Sequence, residues 1–255
     1  MIKAVFLDVD GTLLSHRIKD VPGSARQALA QLAETGVERV VASGRHLMEI
    51  KALPVRDISF DAYITLNGQL CYDAQGSVFY ENPLGDTEEI LALFNSKTIP
   101  IMLIEKQGMY INFINDDVVQ ACKAVSSPLP VQRGYTGNTI YQAIFFIDQE
   151  QLENIAQRLK NVEITRWNDH AVDVVAKGGS KVAGIREYLA RKGYTRDECA
   201  AFGDGENDRE MLGYVGQGIA MGNASDLVKR AADYTTTDID RDGVRNGLRY
   251  LGLIE

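Results

Sequence analysis

At 255 residues the chain is longer than one small domain and shorter than two full ones, so a main domain carrying an insert is expected. A composition of 45% hydrophobic and 24% charged residues excludes disordered and fibrous classes. The net charge of -8 lacks the basic excess of a nucleic-acid protein, and no apolar run approaches the ~20 residues that span a bilayer. Three cysteines (Cys71, Cys122, Cys199) stand far apart without metal-ligand spacing, which reads as reduced core thiols. With no signal-peptide pattern after Met1, a cytoplasmic location is expected.

The chain opens on an unbroken apolar strand, Ala4 to Leu7, running into Asp8-Val9-Asp10-Gly11-Thr12, the pattern of a parallel strand buried on both faces. A helix is predicted from Ser24, with Ser24 and Gln27 as a capping box and Gly36 as the stop. Strands at Arg39 to Ala42 and Ala62 to Leu66 end in Ser43-Gly44-Arg45 and Asn67-Gly68. Strands separated by helices imply a mostly parallel sheet.

The pattern changes after Pro83. A helix at Asp86 to Asn95 leads to a hairpin, Ile101 to Glu105 and Met109 to Ile114, turning at Lys106-Gln107-Gly108. A helix at Asp117 to Val125, a Pro/Gly-rich link from Ser126 to Asn138, a strand at Ile140 to Ile147, a helix at Gln149 to Leu159 and strands at Glu163 to Trp167 and Ala171 to Ala176 follow. Hairpins mixed with helices describe an α+β unit. From about Lys177 the first style returns: a helix from Ser180 to Arg191, a strand at Ala200 to Phe202, then Gly203-Asp204-Gly205-Glu206-Asn207-Asp208. A strand at Ile219 to Met221 and helices at Ala224 to Ala231 and ending near Leu251 complete the chain. The expected architecture is an α/β, Rossmann-like core from residues 1–82 and 177–255, with an α+β insert at 83–176.

Polar residues gather where strands stop, the end at which open parallel sheets bind ligands. Asp8 and Asp10 repel each other, and a buried carboxylate is costly unless it meets a cation. Asp204 and Asp208 offer further oxygen ligands past another strand. A histidine-free, oxygen-rich set favours Mg²⁺.

Asp8-Val9-Asp10-Gly11-Thr12 resembles the DxDGT signature of haloacid-dehalogenase-superfamily phosphatases. Ser43-Gly44-Arg45, Lys181 within Gly178-Gly179-Ser180-Lys181, and Gly203-Asp204-Gly205-Glu206-Asn207-Asp208 match that family's second, third and fourth motifs, in order. Met221-Gly222-Asn223-Ala224 and Asp242-Gly243-Val244 resemble its Cof-type branch, whose cap is of type IIB. The resemblance implies Asp8 as nucleophile forming an aspartyl-phosphate, and Asp10 as general acid and base. It implies Mg²⁺ held by the Asp8 carboxylate, the Asp10 carbonyl and Asp204, with Asp208 in support. Ser43, Lys181, Asn207 and the backbone near Val9 and Gly44 would hold the phosphoryl group. It also implies a cap at 83–176, hinged near Asn82-Pro83 and Lys177-Gly178-Gly179, that selects the substrate.

Arg45 is a candidate substrate contact or the partner of an acidic residue. Asn67 reads as a plain Asn-Gly turn rather than a loop organiser, and His46 as a loop residue. Asn112, Asn115, Arg133, Asn138 and Gln142 are candidate selectors in the insert; Trp167, Tyr110 and Tyr141 are expected to pack it. The expected function is Mg²⁺-dependent hydrolysis of small phosphomonoesters, sugar phosphates first, by a monomer or weak homo-oligomer with neither nucleic acid nor membrane as partner. The alternatives are a phosphosugar mutase or phosphotransferase, and a non-catalytic phosphometabolite sensor. A switch, however, needs no acid two residues beyond its phosphorylated aspartate.

Overall fold

The structure, a computed structural model, describes residues 1–124 and 127–255. The predicted helix end at Val125 and link start at Ser126 therefore lie outside the described residues. The chain divides into two compact units, Met1–Glu81 with Ser180–Glu255, and Asn82–Gly179.

The first unit begins with β1 (Ala4–Leu7), every residue of which is buried. Next come α1 (Gly23–Glu34), β2 (Glu38–Ala42), the short helix α2 (Leu47–Ala52) and β3 (Ala62–Thr65). The hairpin strands β4 (Leu70–Asp73) and β5 (Val78–Glu81) follow. In the second unit lie α3 (Glu88–Ser96), β6 (Ile101–Glu105), β7 (Gly108–Ile111), α4 (Asp116–Ala124), β8 (Ile140–Phe145), α5 (Gln149–Ala156), β9 (Val162–Asn168) and β10 (Ala171–Ala176). The chain then re-enters the first unit with α6 (Lys181–Lys192), β11 (Cys199–Gly203), α7 (Arg209–Tyr214), β12 (Gln217–Ala220), α8 (Asp226–Lys229), β13 (Tyr234–Thr235) and α9 (Gly243–Tyr250).

The first sheet runs β13-β12-β11-β1-β2-β3-β4-β5, parallel from β13 to β3 and antiparallel through the last two strands. Alternate residues of β1 feed two cores. Val5 and Leu7 pack with Leu29, Leu32 and Leu248 on one face; Ala4 and Phe6 pack with Ile185, Tyr188 and Leu189 on the other. Helices on both faces explain why the strand is a continuous apolar run. The second unit holds an antiparallel sheet ordered β7-β6-β8-β10-β9, with Ile90, Phe94 and Ile155 of its helices in the core on one face and Val118 and Ala121 of α4 on the other. The fold class is thus α/β with a parallel-sheet core and a separate antiparallel sheet.

One local expectation is corrected. Helix α1 starts without a Ser24 cap: Pro22, at φ -52, occupies the cap position and its carbonyl accepts from Arg26 N–H at 3.1 Å. A ring-fixed φ sets the helix entry that a serine side chain would otherwise secure. Among the described residues no helix is long and apolar enough to cross a membrane.

Candidate active site

The carboxyl ends of β1, β2, β3 and β11 build the site, and β1 sits between β2 and β11 in the sheet. This is where chain connections depart in opposite directions and a crevice forms. Leu7 pairs with Val41 on one side and Phe202 on the other, so Asp8, Ser43 and Asp204 all leave the sheet at one end. Asp8 N–H still donates to Phe202 O at 3.0 Å, which extends the ladder to the carboxylate itself.

One carboxylate oxygen from each of Asp8, Asp204 and Asp208 lies within 4.8 Å of the others. Lys181, at the first turn of α6, reaches into this group. Its Nζ donates to Oδ1 of Asp8 and Oδ1 of Asp208, both at 2.6 Å, with only 1% of its side chain exposed. Read from sequence alone such a lysine belongs on the surface; its burial follows from the two carboxylates waiting for it. Asp208 is fully buried, and its second oxygen accepts from the N–H groups of Asp204 and Gly205 at 3.0 and 2.9 Å. Asp204 is held by Thr12 Oγ1 at 2.8 Å and Asn223 Nδ2 at 3.2 Å. Gly11 is required beside it: its φ is +79, and a Cβ there would lie 2.1 Å from an Asp204 oxygen.

Charge in this pocket is unbalanced, with one ammonium facing three carboxylates. Burial, reinforced by repulsion from Asp208, pushes the Asp8 carboxyl well above the usual range. Burial likewise raises Asp204 to about 7, against the opposing hydrogen bond from Thr12. For Lys181, burial favours the neutral amine, but Asp208 and Asp8 outweigh it and hold the ammonium charged. A set of oxygen-only donors with an unrelieved negative excess fits a hard divalent cation. Asp10 does not join this set with its carboxylate. Instead Arg45 grips both of its oxygens, Nε to Oδ2 at 2.6 Å and a terminal nitrogen to Oδ1 at 2.8 Å. Arg45 also faces Glu49, whose other oxygen accepts from His46 N–H at 2.9 Å in the capping box of α2. His46 is thus a buried helix cap rather than a loop residue.

The remaining predicted residues fall around this centre. Ser43 is buried, and its Oγ accepts from Arg45 N–H at 3.2 Å. Val9 is buried beneath the loop, its carbonyl accepting from Leu13 and Leu14. Asn207 Nδ2 donates to Asn67 Oδ1 at 3.0 Å, and the Asn67 carboxamide also lies against Gly44. Asn67, read from the sequence as a plain Asn-Gly turn, therefore bonds a residue of the Gly203–Asp208 segment, and its position at a strand end was the signal.

Candidate selectors of the second unit divide by role. Asn112 ties β6 to the Phe94 and Ile99 carbonyls, and Asn115 caps α4 through Val118 N–H. Asn138 and Tyr110 donate to the buried Glu105, and Arg133 is exposed. Gln142 is 2% exposed, and its side-chain oxygen has no hydrogen-bond partner among the described residues.

A model of the haloacid dehalogenase-like hydrolase family matches residues 5–248. The candidate phosphatase YkrA of Bacillus subtilis is 30% identical over 258 residues, covering 99% of each chain. A hypothetical protein from Geobacillus kaustophilus superposes with a TM-score of 0.91 at 33% identity over the whole of both chains. The HAD subclass IIB sugar phosphatase BT4131 superposes with a TM-score of 0.84 at 31% identity, covering 99% of this chain and 100% of its own.

Proposed function

The chain belongs to the haloacid dehalogenase-like hydrolases, in their Cof-type, subclass IIB phosphatase branch, and from that premise we propose that it hydrolyses small phosphomonoesters through a phosphorylated Asp8. The observation that carries this reading is the cluster of Asp8, Asp204 and Asp208, in which the buried Lys181 bridges the buried Asp8 and Asp208 and Asp204 is half-buried. Sugar phosphates are the leading substrate class, by similarity to BT4131. Selection of the leaving group is assigned to the insert at 83–176, and the location to the cytoplasm.

Lys181 holds Oδ1 of Asp8, so Oδ2 is the oxygen left to attack phosphorus. As that P–O bond forms, the ester P–O bond breaks and the departing alcohol takes a proton from Asp10. Water then attacks the acyl phosphate, Asp10 removes its proton, and inorganic phosphate leaves with Asp8 regenerated. Asp10 can hand on a proton only after one of its oxygens is released from Arg45, and an arriving phosphate dianion competes for that guanidinium. Ser43, Lys181, Asn207 and the backbone N–H groups near Val9 and Gly44 would hold the phosphoryl oxygens. Mg²⁺, held by Asp8, the Asp10 carbonyl and Asp204, would neutralise phosphate charge and polarise the phosphoryl group.

Hydrolysis of p-nitrophenyl phosphate, followed by phosphate release, tests the reading. Activity is expected with Mg²⁺, to vanish with EDTA and to return when Mg²⁺ is restored. Undiminished turnover in chelator would remove the metal from the mechanism, and absence of phosphate release over a panel of phosphorylated metabolites would remove the function.

Asp10→Asn separates the acid role from the rest. Its kcat is expected to fall by about 10²–10⁴ on an alkyl phosphate, whose alkoxide leaves poorly. With p-nitrophenyl phosphate, which needs no protonation to leave, the fall should be smaller. Equal losses for both esters would assign Asp10 to something other than leaving-group protonation.

A further inference from the structure

The loop after β3 carries the most unusual backbone near the site. Leu66, Asn67 and Gly68 have consecutive positive φ values of 51, 51 and 87°. Glycine adopts this region freely and asparagine tolerates it, but a buried leucine there stores strain. An ordinary Asn-Gly turn needs no such strain, so the surroundings must impose it.

Three loops of the site converge on these residues. Leu66 N–H donates to Arg45 O at 3.2 Å and Asn67 N–H to Ser43 O at 3.0 Å, fastening the turn to the loop after β2. Gly68 lies against the start of α6: a Cβ there would stand 2.1 Å from Ser180 O, immediately before Lys181. The Asn67 side chain makes the third connection. Its Oδ1 accepts from Asn207 Nδ2 at 3.0 Å, and its amide lies so close to Gly44 that a Cβ at that glycine would be 3.2 Å from Nδ2. One carboxamide therefore touches two of the groups assigned to the phosphoryl oxygens, Asn207 and Gly44, which arise 163 positions apart in the chain.

We propose that Asn67 is a positioning residue of the phosphate pocket. Its oxygen fixes the rotamer of Asn207, and its amide plane sets how closely the Ser43-Gly44 loop approaches. The left-handed backbone at Leu66 and Asn67 is what aims the carboxamide between them. The inference rests on the phosphatase reading of the same site. It assigns to Asn67 a role that a plain turn would not have.

Asn67→Gly tests it cleanly, because glycine keeps the left-handed backbone while the carboxamide is lost. The variant should melt at or above the wild-type temperature. The inhibition constant of inorganic phosphate and the KM for p-nitrophenyl phosphate should each rise about tenfold, as for loss of a hydrogen bond serving a charged ligand. Because the lost contact serves bound phosphate throughout the reaction, kcat should change less than KM. In an Asn207→Ala background the same substitution should raise KM by clearly less than it does in wild type, since one of its two partners is already gone. Unchanged phosphate inhibition and KM in Asn67→Gly would reduce the residue to a turn. Full multiplication of the two effects in the double variant would show that it does not act through Asn207. A wild-type protein that releases no phosphate would fail the phosphatase reading itself and take this inference with it, an outcome distinct from both.

Discussion

Asp8→Asn is expected to lower turnover of p-nitrophenyl phosphate by about 10⁴-fold or more while raising the melting temperature of the metal-free protein by about 3 °C. The first effect follows from the proposed role of Asp8 as nucleophile. A carboxamide has nearly the same volume but no nucleophilic oxygen able to form the acyl phosphate. The second follows from charge. Asp8 is 6% exposed, and burial together with Asp208 and Asp204 disfavours its ionised form. Asparagine removes one of three crowded carboxylates and can still present its side-chain oxygen to Lys181 while Asp208 keeps the ammonium paired. A site built for chemistry is held at a cost in stability, and neutralising its central charge relieves part of it. Calorimetry in EDTA and a steady-state assay check the two halves separately. Turnover at the wild-type rate would displace Asp8 as nucleophile; a lower melting temperature would mean that its charge is stabilising.

How much of this could be read from the sequence depends on the distance over which each feature is specified. Strand β1 was legible because its four apolar residues are buried on both faces and need no alternation. The carboxylates were legible because Asp8 and Asp204 lie directly beyond apolar strands and Asp208 follows in the turn after β11. Hairpin β4–β5 was not: β5 is a half-exposed edge strand, Val78–Glu81, without a clean apolar pattern. Helix α7, six residues long, and β13, two residues long, are too short to display a period. At the site itself, Lys181 meets an aspartate 173 positions away and another 27 away, and Arg45 meets Asp10 across 35. No local pattern encodes such pairings; they exist only after the parallel sheet has brought the strand ends together. Asn67 shows the same limit from the other side. Its dipeptide with Gly68 is a turn signal by composition, and only the packing against Gly44 and Asn207 gives the side chain a task.

Lys181→Met carries the largest expected effect on stability. The ammonium is buried to 1% and bridges Asp8 and Asp208 at 2.6 Å each, so its removal strands carboxylates that water cannot reach. Methionine fills much of the stem's volume, which isolates the loss of charge from the loss of packing. Breaking a buried ion pair from one side costs about 3–5 kcal/mol, which for a protein of this size lowers the melting temperature by about 10 °C. Two further measurements tie the loss to charge rather than to the helix that carries the residue. Saturating Mg²⁺ should recover part of the melting temperature, because a divalent cation among Asp8, Asp204 and Asp208 supplies the positive charge the lysine no longer provides. Lys181→Met should also cost less in an Asp8→Asn background, where one of the two carboxylates it neutralises is already gone; a coupling of 1 kcal/mol or more is expected, about the size found between groups in direct contact. Turnover with Mg²⁺ present should remain about 10²–10³-fold below wild type, since a metal would replace the charge but not the donor that the proposed mechanism assigns to the phosphoryl oxygen. Metal-free stability equal to wild type would show that the three carboxylates share their charge without the lysine. Strict additivity with Asp8→Asn would place the destabilisation in the packing of α6 instead.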